Sequence, residues 1–172
     1  MRWRRRQRCF SGSIRNWDNS FNHPLIETIV VKKAKEIVGS KSKELDKVAA
    51  VYDYVVNNFS YDYDKAKTVK SGYVPNPDSI LSSKKGICLD YASVMVSMLR
   101  SQDVPTKLVV GYAGDTYHAW INVYVKDVGW LDNVIYFDGK NWELVDPTFA
   151  STSSSKTSYK PEQSKYSTKF VY

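Results

Sequence analysis

An α+β domain, helices first and an antiparallel sheet after them, is the fold class that this sequence predicts. Three observations carry it. Apolar residues recur at helical spacing through residues 25–102, the period switches to two after Pro105, and turn signals rather than helices separate the later runs. At 172 residues, 42% apolar and 14% aromatic, the chain is long enough to bury one core and too apolar to be disordered.

Leu25, Ile29, Val30, Ala34, Ile37 and Val38 predict a first helix over Leu25 to Val38, stopped by Gly39. A second, over Lys43 to Asn58, carries the stripe Leu45, Val48, Ala49, Tyr52, Val55, Val56 and Phe59, with Glu44 and Asp46 in a first turn that favours negative charge. Residues 60–79, with Gly72 and Pro75-Asn76-Pro77-Asp78, read as a long loop, and loops of that length in compact domains are often functional. The third helix, Cys88 to Gln102, is apolar nearly all round (Leu89, Ala92, Val94, Met95, Val96, Met98, Leu99), which places it at the centre of the core. Strands follow at Lys107–Tyr112 and Tyr117–Lys126, then at Val134–Phe137 and Asn141–Val145 around the hairpin signal Asp138-Gly139.

The domain layout is a basic leader over 1–22, disordered or foreign to the fold, then one domain over 23–150. A Ser/Thr/Lys-rich tail over 151–172 is packed on that domain or trails from it. The formal charge of +7 is concentrated in the leader. Six arginines and one aspartate, Asp18, lie within residues 1–20, which leaves the remainder at only +2. A body so close to neutral has no basic stripe for nucleic acid, and no nucleic-acid partner is expected. No stretch approaches the roughly 20 apolar residues of a membrane span, so none is expected. The arginines are not followed by the apolar run of a secretory signal.

Chemistry concentrates at three positions. Cys88 heads the apolar helix, after Lys84, Lys85 and Gly86. A buried helix cysteine is by default an inert small hydrophobe. A helix N-terminus with cations nearby, however, favours a thiolate, and Gly86 lets the backbone approach a substrate closely. His118 lies in a strand where alternation sets it beside Trp120 and Asn122 and opposite Tyr117, Ala119 and Ile121. Asp146, before Pro147, ends another strand. An Asp-Pro pair is also a common turn opener. Together a thiol, an imidazole and a carboxylate can make a nucleophile, its base and an orienter of that base. Cys9 and Cys88 make no disulfide scaffold, and a bond between them would silence the thiol. One cysteine and one histidine in the core region do not make a zinc site, and neither metal nor cofactor is expected.

Gly86-Ile87-Cys88-Leu89-Asp90-Tyr91-Ala92, then His118-Ala119-Trp120, then Asp146-Pro147-Thr148, resemble the motifs of the transglutaminase-like superfamily of papain-like thiol enzymes. The resemblance covers about Ile29 to Phe149, and the motifs lie 30 and 28 residues apart in the family's order. It implies that the 23–150 domain is catalytic, with Cys88 the nucleophile, His118 general base and acid, and Asp146 the orienter. It implies acyl transfer from amide bonds of a peptide or protein substrate, with hydrolysis favoured over cross-linking because water needs no amine-binding tunnel.

The Cys88 backbone N–H is one natural oxyanion donor. The glutamine of papain-like proteases is missing from the nearby upstream positions (Ser82 and Ser83 stand there), so Tyr61, Tyr63 or the Trp120 indole are candidates for the second donor, with Gly86 lining the site. The calcium loops of animal cross-linking members have no counterpart, and calcium dependence is not carried over. Export is common in such families, so an extracytoplasmic setting is expected. The competing reading is a non-catalytic module that binds peptide or cell-wall polymer in the same groove. Substrate, acyl acceptor and oligomeric state are not legible.

Overall fold

The computed structural model describes residues 28–132, 135–137, 142–144 and 166–172; the side chains of residues 113, 116, 135–137 and 142–144 are outside that description. Asp146, Cys9, the basic leader and the first part of the Ser/Thr/Lys-rich stretch lie outside the described residues.

Five helices and eight strands run through the described chain. Helix α1 (Ile29–Val38) starts at Thr28, whose hydroxyl accepts the Val31 N–H at 3.4 Å, and stops at Gly39, whose φ of 55° suits a residue without a Cβ. Its start is therefore four residues later than apolar spacing alone predicts. Helix α2 (Glu44–Asn58) buries Val48, Val51, Tyr52, Val55 and Val56 along one stripe. Residues 60–79, expected as loop, hold more structure than that. Strand β1 (Ser60–Tyr61) is followed by the short helices α3 (Tyr63–Thr68) and α4 (Pro77–Ser83). The physical reason lies in the caps. Asp62 accepts the Lys65 N–H at 3.0 Å, and Asn76 accepts the Ser79 N–H at 3.0 Å with Pro77 at the first helical position. Asx residues and proline open short helices as readily as they open turns.

After the two-residue strand β2 (Lys85–Gly86) comes α5 (Cys88–Ser101). This is the central helix. It packs against α1, α2 and α4 on one side and against the sheet on the other. Tyr91, Val94, Met95, Met98 and Leu99 are fully buried, as its all-round apolar sequence demands.

The main sheet is antiparallel, in the order β5-β4-β3-β8. Its strands are β3 (Thr106–Ala113), β4 (Thr116–Val125), β5 (Gly129–Leu131) and β8 (Tyr166–Val171). A separate antiparallel pair, β6 (Ile135–Phe137) and β7 (Trp142–Leu144), flanks the Asp138-Gly139 hairpin signal. Within β4 the alternation is plain. Ala119, Ile121, Val123 and Val125 join the core shared with α5, while His118, Trp120 and Asn122 take the other face. Strand β8, drawn from the stretch read as tail, pairs with β3 from Val109 to Ala113, with a register shift between Val110 and Gly111. Gly111 is there because of close approach: a Cβ would overlap the Ser167 carbonyl and lie 2.9 Å from Cη2 of Trp120.

Candidate active site

Cys88 is the first residue of α5, and it is a free, half-buried thiol packed against the apolar core. The first N–H groups of a helix have no intrahelical acceptor, so the thiol sits among outward-pointing donors at the positive end of the helix dipole. Ile87, at the N-cap, has no polar side chain to satisfy them. The capping that is present runs the other way: Asp90, one turn into the helix, accepts the Ile87 N–H at 2.9 Å.

Asp90 is fully buried, and both oxygens of its carboxylate accept hydrogen bonds. Lys65 Nζ donates to Oδ2 at 2.6 Å and the Tyr73 hydroxyl donates to Oδ1 at 2.7 Å. Lys65 also donates to the Tyr73 hydroxyl at 2.7 Å. Burial works against the Lys65 charge, but hydrogen bonds to Asp90 and Tyr73 outweigh it, and the amine is held above the ordinary lysine value. Burial pushes the Tyr73 hydroxyl up as well. Gly86 makes this arrangement possible, because a Cβ there would lie 2.6 Å from the Asp90 Cβ and 2.8 Å from Oδ2.

The turn ahead of Cys88 is fastened on its second side by β1. Ser60 and Tyr61 pair in parallel with Lys85 and Gly86, the Ser60 N–H donating to the Lys84 carbonyl and the Asp62 N–H to the Gly86 carbonyl, each at 2.9 Å. Lys85 is within 3.5 Å of the Asp62 carboxylate. The Lys65 N–H, with Lys85 in support, holds that carboxylate below the ordinary aspartate range. This pairing sets Tyr61 directly beside Gly86, two residues from the thiol. Tyr63, 60% exposed, meets the Tyr61 ring edge-on at 5.0 Å.

His118 lies on β4 opposite Gly111 and is 4% exposed. Its ring stacks on Trp120, centroids 6.4 Å apart and planes at 21°. Trp120 is buried in turn beneath the edge of the Tyr166 ring at 5.0 Å. The two elements that carry Cys88 and His118, α5 and β4, pack directly on each other, and Ala119 belongs to the core against which Cys88 packs. Asp146 lies outside the described residues. The Lys65–Tyr73–Asp90 cluster is what sequence reasoning missed. Its signal was a lone carboxylate in a helix apolar on nearly every side. Among the described residues no group of three or more His, Cys, Asp or Glu side chains is placed to hold a metal ion. No helix among them is long and apolar enough to cross a membrane.

Comparison with known proteins agrees with this architecture. Three relatives are 26% identical over 125 residues (uncharacterized protein YebA of Bacillus subtilis), 34% over 112 residues (UPF0252 protein MJ1282 of Methanocaldococcus jannaschii) and 27% over 86 residues (a protein-glutamine gamma-glutamyltransferase of Pseudomonas aeruginosa). The matches cover 62%, 56% and 42% of this chain but only 16%, 32% and 11% of those proteins, which are much longer. Among solved structures, the periplasmic domain of TgpA from P. aeruginosa bound to ethylmercury superposes with a TM-score of 0.52 at 24% identity, over 70% of this chain and 43% of that one. A proposed cysteine protease from Cytophaga hutchinsonii gives 0.50 at 23% identity, over 69% and 36%. The family model described as the transglutaminase-like superfamily matches residues 31–147, well over half of the sequence. Helices, curled antiparallel sheet and family model agree, and the chain belongs to the transglutaminase-like superfamily.

Proposed function

We propose that this chain is a thiol-dependent acyl-transfer enzyme that acts on amide bonds of peptide or protein substrates. The observation that carries the reading is a free, half-buried thiol at the first position of the core helix, with a histidine on the strand packed against that helix. Cys88 is the nucleophile, His118 takes the thiol proton and returns it to the leaving amine, and Asp146 orients His118.

In the first step the Sγ–carbon bond forms while the carbonyl π pair moves onto oxygen. Collapse of that intermediate expels the amine, which leaves with the proton held by His118. Water then adds to the acyl-thioenzyme, His118 acting as base, and the acid is released with regeneration of the thiol. The Cys88 N–H is one oxyanion donor and Tyr61, beside Gly86, is the second. Tyr63, which is exposed, lines the approach, whereas Trp120 is buried and supports His118 from within. Hydrolysis is favoured over cross-linking because no amine-binding site is needed for it, although one relative is named for glutamyl transfer. An extracytoplasmic setting is supported by the periplasmic source of one structural relative.

The test is acylation by p-nitrophenyl acetate followed by intact-mass analysis. The parent chain gives a burst of p-nitrophenolate and an acetyl adduct that maps to Cys88, and Cys88→Ala gives neither while melting within about 2 °C of the parent. An equal burst from Cys88→Ala would rule the reading out and favour a binding module. Release of acetate alone, with no transfer when a primary amine is added, supports hydrolysis.

A further inference from the structure

The buried Lys65–Tyr73–Asp90 cluster next to the thiol takes no part in the acyl-transfer steps proposed above. Asp90 accepts three hydrogen bonds, and each comes from a different part of the chain: the main-chain N–H of Ile87, the ammonium of Lys65 on α3, and the hydroxyl of Tyr73 beyond α3. The Ile87 N–H belongs to the turn that presents Cys88. Gly86, one residue earlier, has no Cβ because Asp90 fills that space, and its carbonyl is bound by the Asp62 N–H. Asp62 in turn caps α3, the helix that carries Lys65. The turn before the nucleophile is thereby gripped from below by one carboxylate and from the side by one strand, and both grips lead back to residues 60–73.

We propose that Lys65 and Tyr73 are positioning residues, acting through Asp90 to aim the main-chain N–H groups at the head of α5 toward the oxygen of the tetrahedral acyl intermediate. Neither touches the substrate. The cluster fixes the Gly86–Ile87 peptide, whose N–H is bound by Asp90 and whose carbonyl is bound by the Asp62 N–H, and through it the turn that sets the direction of the Cys88 N–H. A donor aimed in advance at the developing oxyanion costs no reorganisation when the charge forms. A small misplacement of such a donor slows acyl transfer about a hundredfold at most. The inference rests on the acyl-transfer reading above.

Two probes separate positioning from mere support. p-Nitrophenyl acetate acylates the thiol through a tetrahedral oxyanion: the Sγ–carbon bond forms, the carbonyl pair moves to oxygen, and collapse expels p-nitrophenolate. Iodoacetamide alkylates the same sulfur by displacement at a methylene carbon, with iodide leaving and no oxyanion formed. In the full chain, Lys65→Met is expected to lower the acylation rate about tenfold or more while changing the Cys88 alkylation rate less than about twofold. Lys65→Arg, which keeps a cation within reach of Asp90, recovers most of the acylation rate.

Tyr73→Phe, which removes the hydroxyl's two hydrogen bonds, to Asp90 and from Lys65, and leaves the ion pair, gives the same split at about threefold, and it serves where Lys65→Met fails to fold. Equal losses in both reactions, or an unchanged acylation rate, in the folded variants would overturn the proposal. Failure of the underlying enzyme reading has a separate mark, namely a parent chain whose acylation matches that of Cys88→Ala.

Discussion

Gly86 and Asp90 show how little room one residue can have. The carboxylate of Asp90 occupies the volume that any Gly86 side chain would need, and it is fully buried with its acceptor positions engaged by Ile87, Lys65 and Tyr73. Gly86→Ala must either displace that carboxylate or push the turn outward from β1. Overpacking of this kind costs about 1–3 kcal/mol, with more added when a buried charge loses partners. We predict that Gly86→Ala lowers stability by at least about 2 kcal/mol in urea unfolding. It also slows p-nitrophenyl acetate acylation beyond what the loss of folded protein explains. A variant as stable as the parent would show that the turn has slack that the packing does not suggest. In sequence, Gly86 was legible as a place of close backbone approach, but the neighbour that enforces it was not. A carboxylate two residues beyond a cysteine does not announce a lysine 25 residues upstream.

The ion pair between α3 and α5 acts at the scale of elements, because α3 is a six-residue helix with no buried residues of its own. So short a helix is held by tertiary contacts rather than by propensity. Its ties are the Asp62 cap, the β1–β2 pairing and the Lys65–Tyr73–Asp90 cluster. The pH dependence has a definite sign. Lys65 titrates above its ordinary value in the folded chain, so the stability it adds is fully present below that value and is lost as pH rises through the raised one. Tyr73, also raised, acts in the same direction, since its neutral hydroxyl is the form that donates to Asp90. The gap in Tm between the parent and Lys65→Met is therefore expected to be constant from about pH 6 to pH 9 and to narrow once the pH passes the ordinary lysine value of about 10.4. A gap that stays constant beyond that value would mean that the Lys65 charge does not contribute to it. These elements were also where the sequence misled. Asx residues, glycine and prolines made 60–79 read as loop, and the same residues cap two short helices, since caps and turns draw on the same chemistry. The long helices and the central strands, with eight or more residues of unbroken period, were legible with ends within a few residues.

At the scale of the whole molecule, one helix organises the fold. Helix α5 takes α1, α2 and α4 on one side and β3 and β4 on the other, and its N-terminus is where the thiol emerges. That arrangement was legible because a helix apolar all round has only one place in a small domain. Motif order and strand alternation name Cys88 and His118 as candidates, and the structure places them on two elements that pack together. The substrate was not legible, because exposed residues such as Tyr63 follow no periodic rule.

Activation of Cys88 by His118 is the proposal on which the enzyme reading turns. It is tested most directly by the rate of iodoacetamide alkylation at Cys88 across about pH 5 to pH 9, resolved from Cys9 by peptide mass mapping, in the parent and in His118→Ala. The parent is expected to be alkylated at least about tenfold faster than His118→Ala near pH 6, with the two rates converging in alkali. Superimposable rate profiles for the two proteins would contradict it and leave Cys88 as a core residue of a binding domain.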